Sequence, residues 1–464
     1  MTTYAEVTTT SDSHTEQLPK TIKFNYGIGD FGNNIIWHTM GLWLAYFYTD
    51  VYGLSAIHVG TMYLVVRIFD AITDPLVGLW VDRTRTKYGS CRPFILYGTI
   101  PLAITFIMLF YTPDLTDTGK LIYAYTSYAL LTLAYTLVNV PFSCMAGFLT
   151  RDSDERTVLQ SFRFGLGMLA SVFVSYTTLS LVASLGDGND QQGFFYTAIV
   201  FSIIIMACLY YCFFTVKEVY PAPPLKSNNT KPVKQLLADI KAAFKNQQLV
   251  ILFLGNILFF ITLTLKATPS VYYVKEVLIN AEHLLTTFMT WGTVGATLGA
   301  ALSAVLWTRF DKVRSYKALM FICGVLTAIP YWMPGTEFLS ILLLGIIVSF
   351  LSLSMVPLIW SMLSDVVDYQ LTLTGKNMSG LFFALFLFTL KVGLGVGGAL
   401  SLWIMGKTGY VANIPQQSEE VIESINFIST LLPGILFIIA GLIMMFYKLD
   451  KTRRAEIKLK LYGE

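Results

Sequence analysis

Charge is what this sequence has least of. Only 13% of its 464 residues are Asp, Glu, Lys or Arg, while 55% are hydrophobic. Soluble domains carry about 25% charged residues. A chain this long and this apolar has no water-facing shell that could cover it, so a soluble globular protein is excluded. Histidine is scarce too, at four residues, and only His38 falls in an apolar run. That leaves little material for a nucleophile–base pair or a metal cluster, and argues against a membrane-embedded enzyme. The five cysteines (Cys91, Cys144, Cys208, Cys212 and Cys323) have no histidines at metal-ligand spacing and read as small apolar residues. Basic runs interleaved with aromatics are missing, so no nucleic acid partner is expected. Residues 1–20 hold no apolar core, which is unlike a signal peptide.

Apolar runs fill the rest, and the mean hydropathy is +0.61. A spanning helix needs about 20 mostly apolar residues. Such runs fall near 25–50, 55–81, 93–112, 120–146, 159–184 and 194–215, then 247–273, 283–308, 317–334, 337–363, 378–406 and 426–447. The fold class expected is an all-α integral membrane protein with twelve transmembrane helices in two six-helix bundles. Helices 1, 2, 4 and 10 carry polar residues that weaken their hydropathy signal. The division expected is a tail at 1–22, bundles at 23–216 and 247–447, a linker at 217–246 and a second tail at 448–464. The linker holds Pro221, Pro223 and Pro224 and an amphipathic segment, Val233–Phe244.

Lys and Arg collect in the loops of one side: Arg83, Arg85, Lys87 and Arg92, six lysines between Lys217 and Lys245, and six basic residues between Lys448 and Lys460. The positive-inside rule makes that side, with both termini, cytoplasmic. The halves also echo each other. Gly78-Leu-Trp-Val-Asp-Arg matches Val305-Leu-Trp-Thr-Arg-Phe-Asp, and Val140-Pro-Phe matches Val356-Pro-Leu. Parallel six-helix repeats with a solute site at midplane are the architecture of major facilitator transporters.

Charges that remain inside the membrane need a reason, since each costs about 2.5–3.5 kcal/mol on insertion scales. Arg67, Asp70 and Asp74 are spaced i, i+3 and i+7, which puts them on one helical face. One Arg–Asp pair could be structural. A second carboxylate one turn away attracts a cation or a proton. Asp30, Asn34 and His38 share a face of helix 1, and helix 4 offers Thr136 and Asn139. Arg163, Lys266 and Lys391 lie in apolar runs, and Trp360 follows Pro357, where it could stack on a sugar ring. Polar groups from both halves converging at midplane suit a ligand rich in hydroxyls.

Several stretches are recognisable. Tyr26-Gly-Ile-Gly-Asp-Phe-Gly, Phe47-Tyr-Thr-Asp-Val, Arg67-Ile-Phe-Asp-Ala-Ile-Thr-Asp-Pro, Asp82-Arg-Thr-Arg-Thr-Lys-Tyr-Gly, Asn139-Val-Pro-Phe and Ser364-Asp-Val-Val-Asp-Tyr resemble the glycoside–pentoside–hexuronide:cation symporters. The resemblance covers nearly the whole chain. It implies uptake of a sugar or glycoside with Na⁺, Li⁺ or H⁺ across a bacterial inner membrane, by a monomer that needs no cofactor beyond the coupling ion. By position, Asp70, Asp74 and Thr136 match a cation site, with the two aspartates as the Na⁺ ligands if sodium is the coupling ion, and Asn34 is a further candidate for that site. Asn34, His38, Asn139, Arg163, Trp360, Lys391 and Lys266 are candidates to hold the sugar. Asn34 and Asn139 replace aspartates of the melibiose carriers, Ser143 a tryptophan and Gly41 a tyrosine. Two negative charges fewer, with three basic residues retained, would favour an anionic glycoside. A membrane sugar sensor that no longer transports is the alternative reading.

Overall fold

The computed structural model describes residues 18–150, 153–219, 240–241, 243–307, 310–375 and 378–462. Helices account for nearly all of them. The elements are α1 (Lys20–Tyr46, prolonged by a wide turn over Phe47–Val51), α2 (Ala56–Arg83), α3 (Arg92–Leu109), α4 (Asp117–Leu149), α5 (Ser153–Gly186) and α6 (Asp190–Thr215). After the linker come α7 (Gln247–Val277), α8 (Leu285–Trp307), α9 (Lys312–Trp332), α10 (Phe338–Thr374), α11 (Ser379–Lys407) and α12 (Glu419–Met445). A short basic helix, α13 (Lys451–Tyr462), follows. Most of Val233–Phe244 lies outside the described residues.

Local chemistry sets the helix starts. The side chains of Thr116, Asn189, Asn246, Asp311 and Ser418 accept backbone N–H bonds at the first turns of α4, α6, α7, α9 and α12. This satisfies amides that no helical partner reaches. The polar ends extend past the hydropathic runs: α10 reaches Thr374 rather than 363, because Asp365 and Asp368 continue it as an amphipathic helix. Among the described residues, ten helices are long and apolar enough to cross a membrane by length and composition. Of the other two helices of membrane length, α1 carries Lys20, Lys23, Asp30 and three asparagines, and α8 is described only in part. The expected weakness of helix 1 is met. That of helices 2, 4 and 10 is not, because apolar neighbours outweigh their polar residues.

Two groups of helices form. In the first, α1 packs on α5 and α6, α3 on α4 and α6, and α2 on α4; in the second, α7 packs on α11 and α12, α8 on α10, and α9 on α12. The groups meet along two seams, α2 with α11 and α5 with α8. Large apolar side chains such as Ile72, Leu76, Phe214 and Leu339 stay exposed on the outside, at 60–68%. Patches of this kind suit lipid rather than water. The chain is a multi-pass membrane protein.

Candidate transport site

Three polar assemblies lie between or beside the seams. The first is built on α2. Asp70 and Asp74 project from successive turns, and Thr136 of α4 lies 3.2 Å from Asp70 Oδ1 and 3.1 Å from Asp74 Oδ1. One hydroxyl has one proton, so it donates to one carboxylate at a time and offers lone pairs besides. From the other group, Lys391 of α11 reaches both acids: its Nζ is 2.9 Å from Asp70 Oδ2 and hydrogen-bonds Asp74 Oδ2. Arg67 Nη1 lies 3.7 Å from Asp70 Oδ2, and its guanidinium stands 4.8 Å above the Trp37 ring. Two positive and two negative charges thus form a neutral quartet. Pro75 lacks an N–H, so the Ala71 carbonyl loses its helical donor and adds one more oxygen to this turn. Hard oxygens without sulfur or imidazole suit Na⁺, Li⁺ or a proton. Among the described residues no group of three or more His, Cys, Asp or Glu is arranged to hold a metal ion.

The second assembly lies wholly in the first group. Arg163 of α5 donates through Nε to Asp30 Oδ1 at 2.8 Å and through Nη2 to Ser143 Oγ at 2.8 Å. Asn34 donates to Asp30 Oδ2 at 3.0 Å. Gly167 faces this pair closely: a Cβ there would stand 2.6 Å from Asp30 Oδ2 and 2.7 Å from Asn34 Nδ2, so the two side chains would have to shift.

The third is a cavity of about 360 Å³ between the groups. Trp37 and His38 of α1 and Arg67 of α2 line one wall, with Lys266 of α7, Thr293 of α8 and Ser349 of α10 opposite. His38 Nε2 is buried there with no hydrogen-bond partner.

Toward the end away from the termini, polar contacts between the groups close the seam. Thr49 Oγ1 meets the Tyr272 hydroxyl at 2.6 Å, Tyr410 donates to Asp50 Oδ1 at 2.8 Å, and Asn413 Nδ2 donates to the Asp50 carbonyl at 2.7 Å. Burial, and then the neighbouring Asp50 carboxylate, hold the Tyr410 phenol above its ordinary pKa, so it stays a donor. At the end that bears the termini, the ion network of Asp311, Arg454, Asp365 and Lys312 remains within the second group.

The structure therefore brings Asp70, Asp74, Thr136 and Lys391 together, and places His38 and Lys266 on the cavity. Three expectations change. Trp360 is not among the residues lining the cavity: it stacks on Phe383 at 6.0 Å and meets Phe386 edge-on at 4.9 Å. Asn34 does not join the α2 carboxylates, because its amide is bound to Asp30 one turn away. Arg163 is not a free positive charge, since Asp30 neutralises it. Asn139 sits half-buried on α4 between Thr136 and Ser143. The gate residues Asp50, Tyr410 and Asn413 were not foreseen: they lie far apart in sequence and no spacing links them.

A cavity between two six-helix groups, sealed at one end and flanked by intramembrane charges, defines a major facilitator transporter. The family model for MFS/sugar transport proteins matches residues 25–451, and the chain belongs to that family. It is 38% identical over 445 residues to the putative glycoside/cation symporter YagG of Escherichia coli, covering 96% of this chain and 95% of that protein. It is 30% identical to the glucuronide carrier protein homolog of the same organism, with 96% of each chain covered. The crystal structure of the nucleoside transporter NupG superposes with a TM-score of 0.65 at 14% identity, over 92% of this chain and all of that one, a likeness of fold.

Proposed function

We propose that this sugar-transport family member is a cation-coupled symporter of a sugar or glycoside, working by alternating access in a bacterial inner membrane with both termini cytoplasmic. The observation that carries the reading is Lys391. It is the group through which the second half holds both carboxylates of the first, beside the cavity. A Na⁺ ion or proton arriving between Asp70 and Asp74 competes with the Lys391 ammonium for the same oxygens. Winning replaces a contact between the halves by one within the first half. Lys391 is then released beside the cavity, where a bound sugar can accept its hydrogen bonds. Each ligand favours the other, and the coupling is reciprocal. The seal around Asp50 supports an inward-open state, with the cavity reached from the cytoplasm. The first half carries the cation site, both halves line the sugar site, and rocking about the seams exchanges access. The names of the relatives, a glycoside/cation symporter and a glucuronide carrier, favour a glycoside as cargo.

Uptake into proteoliposomes tests this, with a sugar panel and with the Na⁺ and pH gradients varied independently. Accumulation against a gradient, driven by one of the two ions, is expected. Binding without accumulation under either gradient would refute transport and leave a sensor.

A further inference from the structure

Four of the basic side chains inside the spans bear on the site, and three of them face carboxylates: Arg67 with Asp70, Lys391 with Asp70 and Asp74, and Arg163 with Asp30. Lys266 differs. Among the described residues no carboxylate lies within ion-pair distance of it, although it sits deep in α7. Lys266 is half-buried on the cavity wall, and an ammonium held inside a membrane span without a counter-charge is costly.

Its surroundings indicate what it is for. Lys266, Ser270, Phe288 and Gly345 stand where the central cavity meets a smaller side pocket of about 50 Å³. Thr327 of α9 and Ser429 of α12 close that pocket. Both hydroxyls are buried, at 4% and 7% residue exposure, and neither has a hydrogen-bond partner. The hydroxyls of Ser270 and Thr430 are already used, donating to the carbonyls of Lys266 and Asn426 at 2.8 and 2.6 Å. Leaving a buried hydroxyl unpaired costs about 1–3 kcal/mol, and two of them lie beside one unpaired ammonium. The free groups are thus three N–H and two O–H donors. The matching ligand is an acceptor with several lone pairs and negative charge, as a carboxylate has. The pocket exceeds the ~10–15 Å³ that one water requires, yet a sugar ring does not fit in it. It accommodates a substituent while the ring stays in the larger cavity.

We propose that Lys266, Thr327 and Ser429 form an anion subsite that receives the acidic group, carboxylate or sulfonate, of an anionic glycoside. This rests on the transport reading above and names its substrate class. It also relocates the charge preference: the two asparagines on α1 and α4 do not create it, because Asp30 cancels Arg163.

The test is calorimetric binding of the purified full chain to matched pairs, methyl glucosides and galactosides against the corresponding methyl uronides, in chloride and in gluconate buffer. The wild type is expected to bind the uronide of a pair at least about tenfold more tightly. Lys266→Gln should bring that ratio near one, Lys266→Arg should keep most of it, and Thr327→Val should reduce it several-fold. Should Lys266→Gln fail to fold, the Thr327→Val, Ser429→Ala double variant carries the same test. Neutral members binding as well as uronides in the wild type, or a uronide preference untouched by these variants, overturns the subsite and leaves transport standing. Neutral binding that depends on chloride, with no uronide preference, assigns the pocket to a free inorganic anion and also overturns it. No binding by any pair overturns both this inference and the reading of the cavity.

Discussion

Replacing Lys391 by methionine keeps most of the side-chain volume and removes the ammonium that holds Asp70 and Asp74. The three side chains are 17%, 7% and 33% exposed, so solvent screens the Asp70 contact little and the Asp74 contact more. Removing one partner of a buried ion pair costs about 3–5 kcal/mol. With Asp74 one-third exposed, about 2–3 kcal/mol is a fitting figure for the uncompensated carboxylates. That strain is relieved when a cation or proton takes the vacated place. If half of it returns as binding energy, affinity for the coupling ion rises about tenfold, since 1.4 kcal/mol is one decade. Two titrations of purified protein followed by thermal shift read this out, one with Na⁺ at fixed pH and one with pH in the absence of Na⁺. One of them should move toward tighter binding by about a decade, while sugar accumulation in proteoliposomes falls. If both affinities stay the same or weaken, Lys391 does not compete with the coupling ion, and the exchange described here is wrong.

Asp74→Asn should abolish concentrative uptake yet leave part of sugar exchange, which needs no net cation return; normal accumulation would reduce Asp74 to a structural role. Asp30→Asn leaves the buried Arg163 without its counter-charge and should cost about 3 kcal/mol, read as a lower midpoint in thermal unfolding, whereas Arg163→Met, Asp30→Asn together should recover much of it. Gly167→Ala forces a methyl against Asp30 and Asn34 and should destabilise by about 1–3 kcal/mol; an unchanged midpoint would show that the helices part without strain. Tyr410→Phe removes the donor to Asp50 and should increase labelling of a cysteine introduced at position 49 by a membrane-impermeant thiol reagent; no increase would mean that this hydroxyl does not secure the seal.

The helices and the α2 carboxylates were legible in the sequence because both obey short-range periodicity. Apolar runs announce a span, and i, i+3, i+7 spacing announces a face. Pairings between helices were not legible. Asp30 and Arg163 are 133 positions apart, Asp50 and Tyr410 are 360 apart, and no local pattern tells which cation meets which anion. Lys266 and Arg163 look alike as isolated bases in apolar runs. Only the packing of α1 on α5 separates the neutralised one from the free one. Trp360 misled for a similar reason: an aromatic one turn after proline looks available for a sugar until its aromatic neighbours are known.

The quartet of Arg67, Asp70, Asp74 and Lys391 has a consequence for leakage. A symporter must let its empty form reorient and forbid the form that carries only the ion. With Lys391 seated between the acids, the empty protein closes around balanced charge, as though it carried its own substitute passenger. Under the proposed coupling, a cation taking that seat would leave the displaced ammonium as surplus charge in a narrowing, dehydrating space. Reorientation would then be penalised until a sugar solvated that ammonium. The lysine would thus act as a toll gate against futile ion cycling, and the tightness of coupling would be set by how poorly anything but sugar can keep it company.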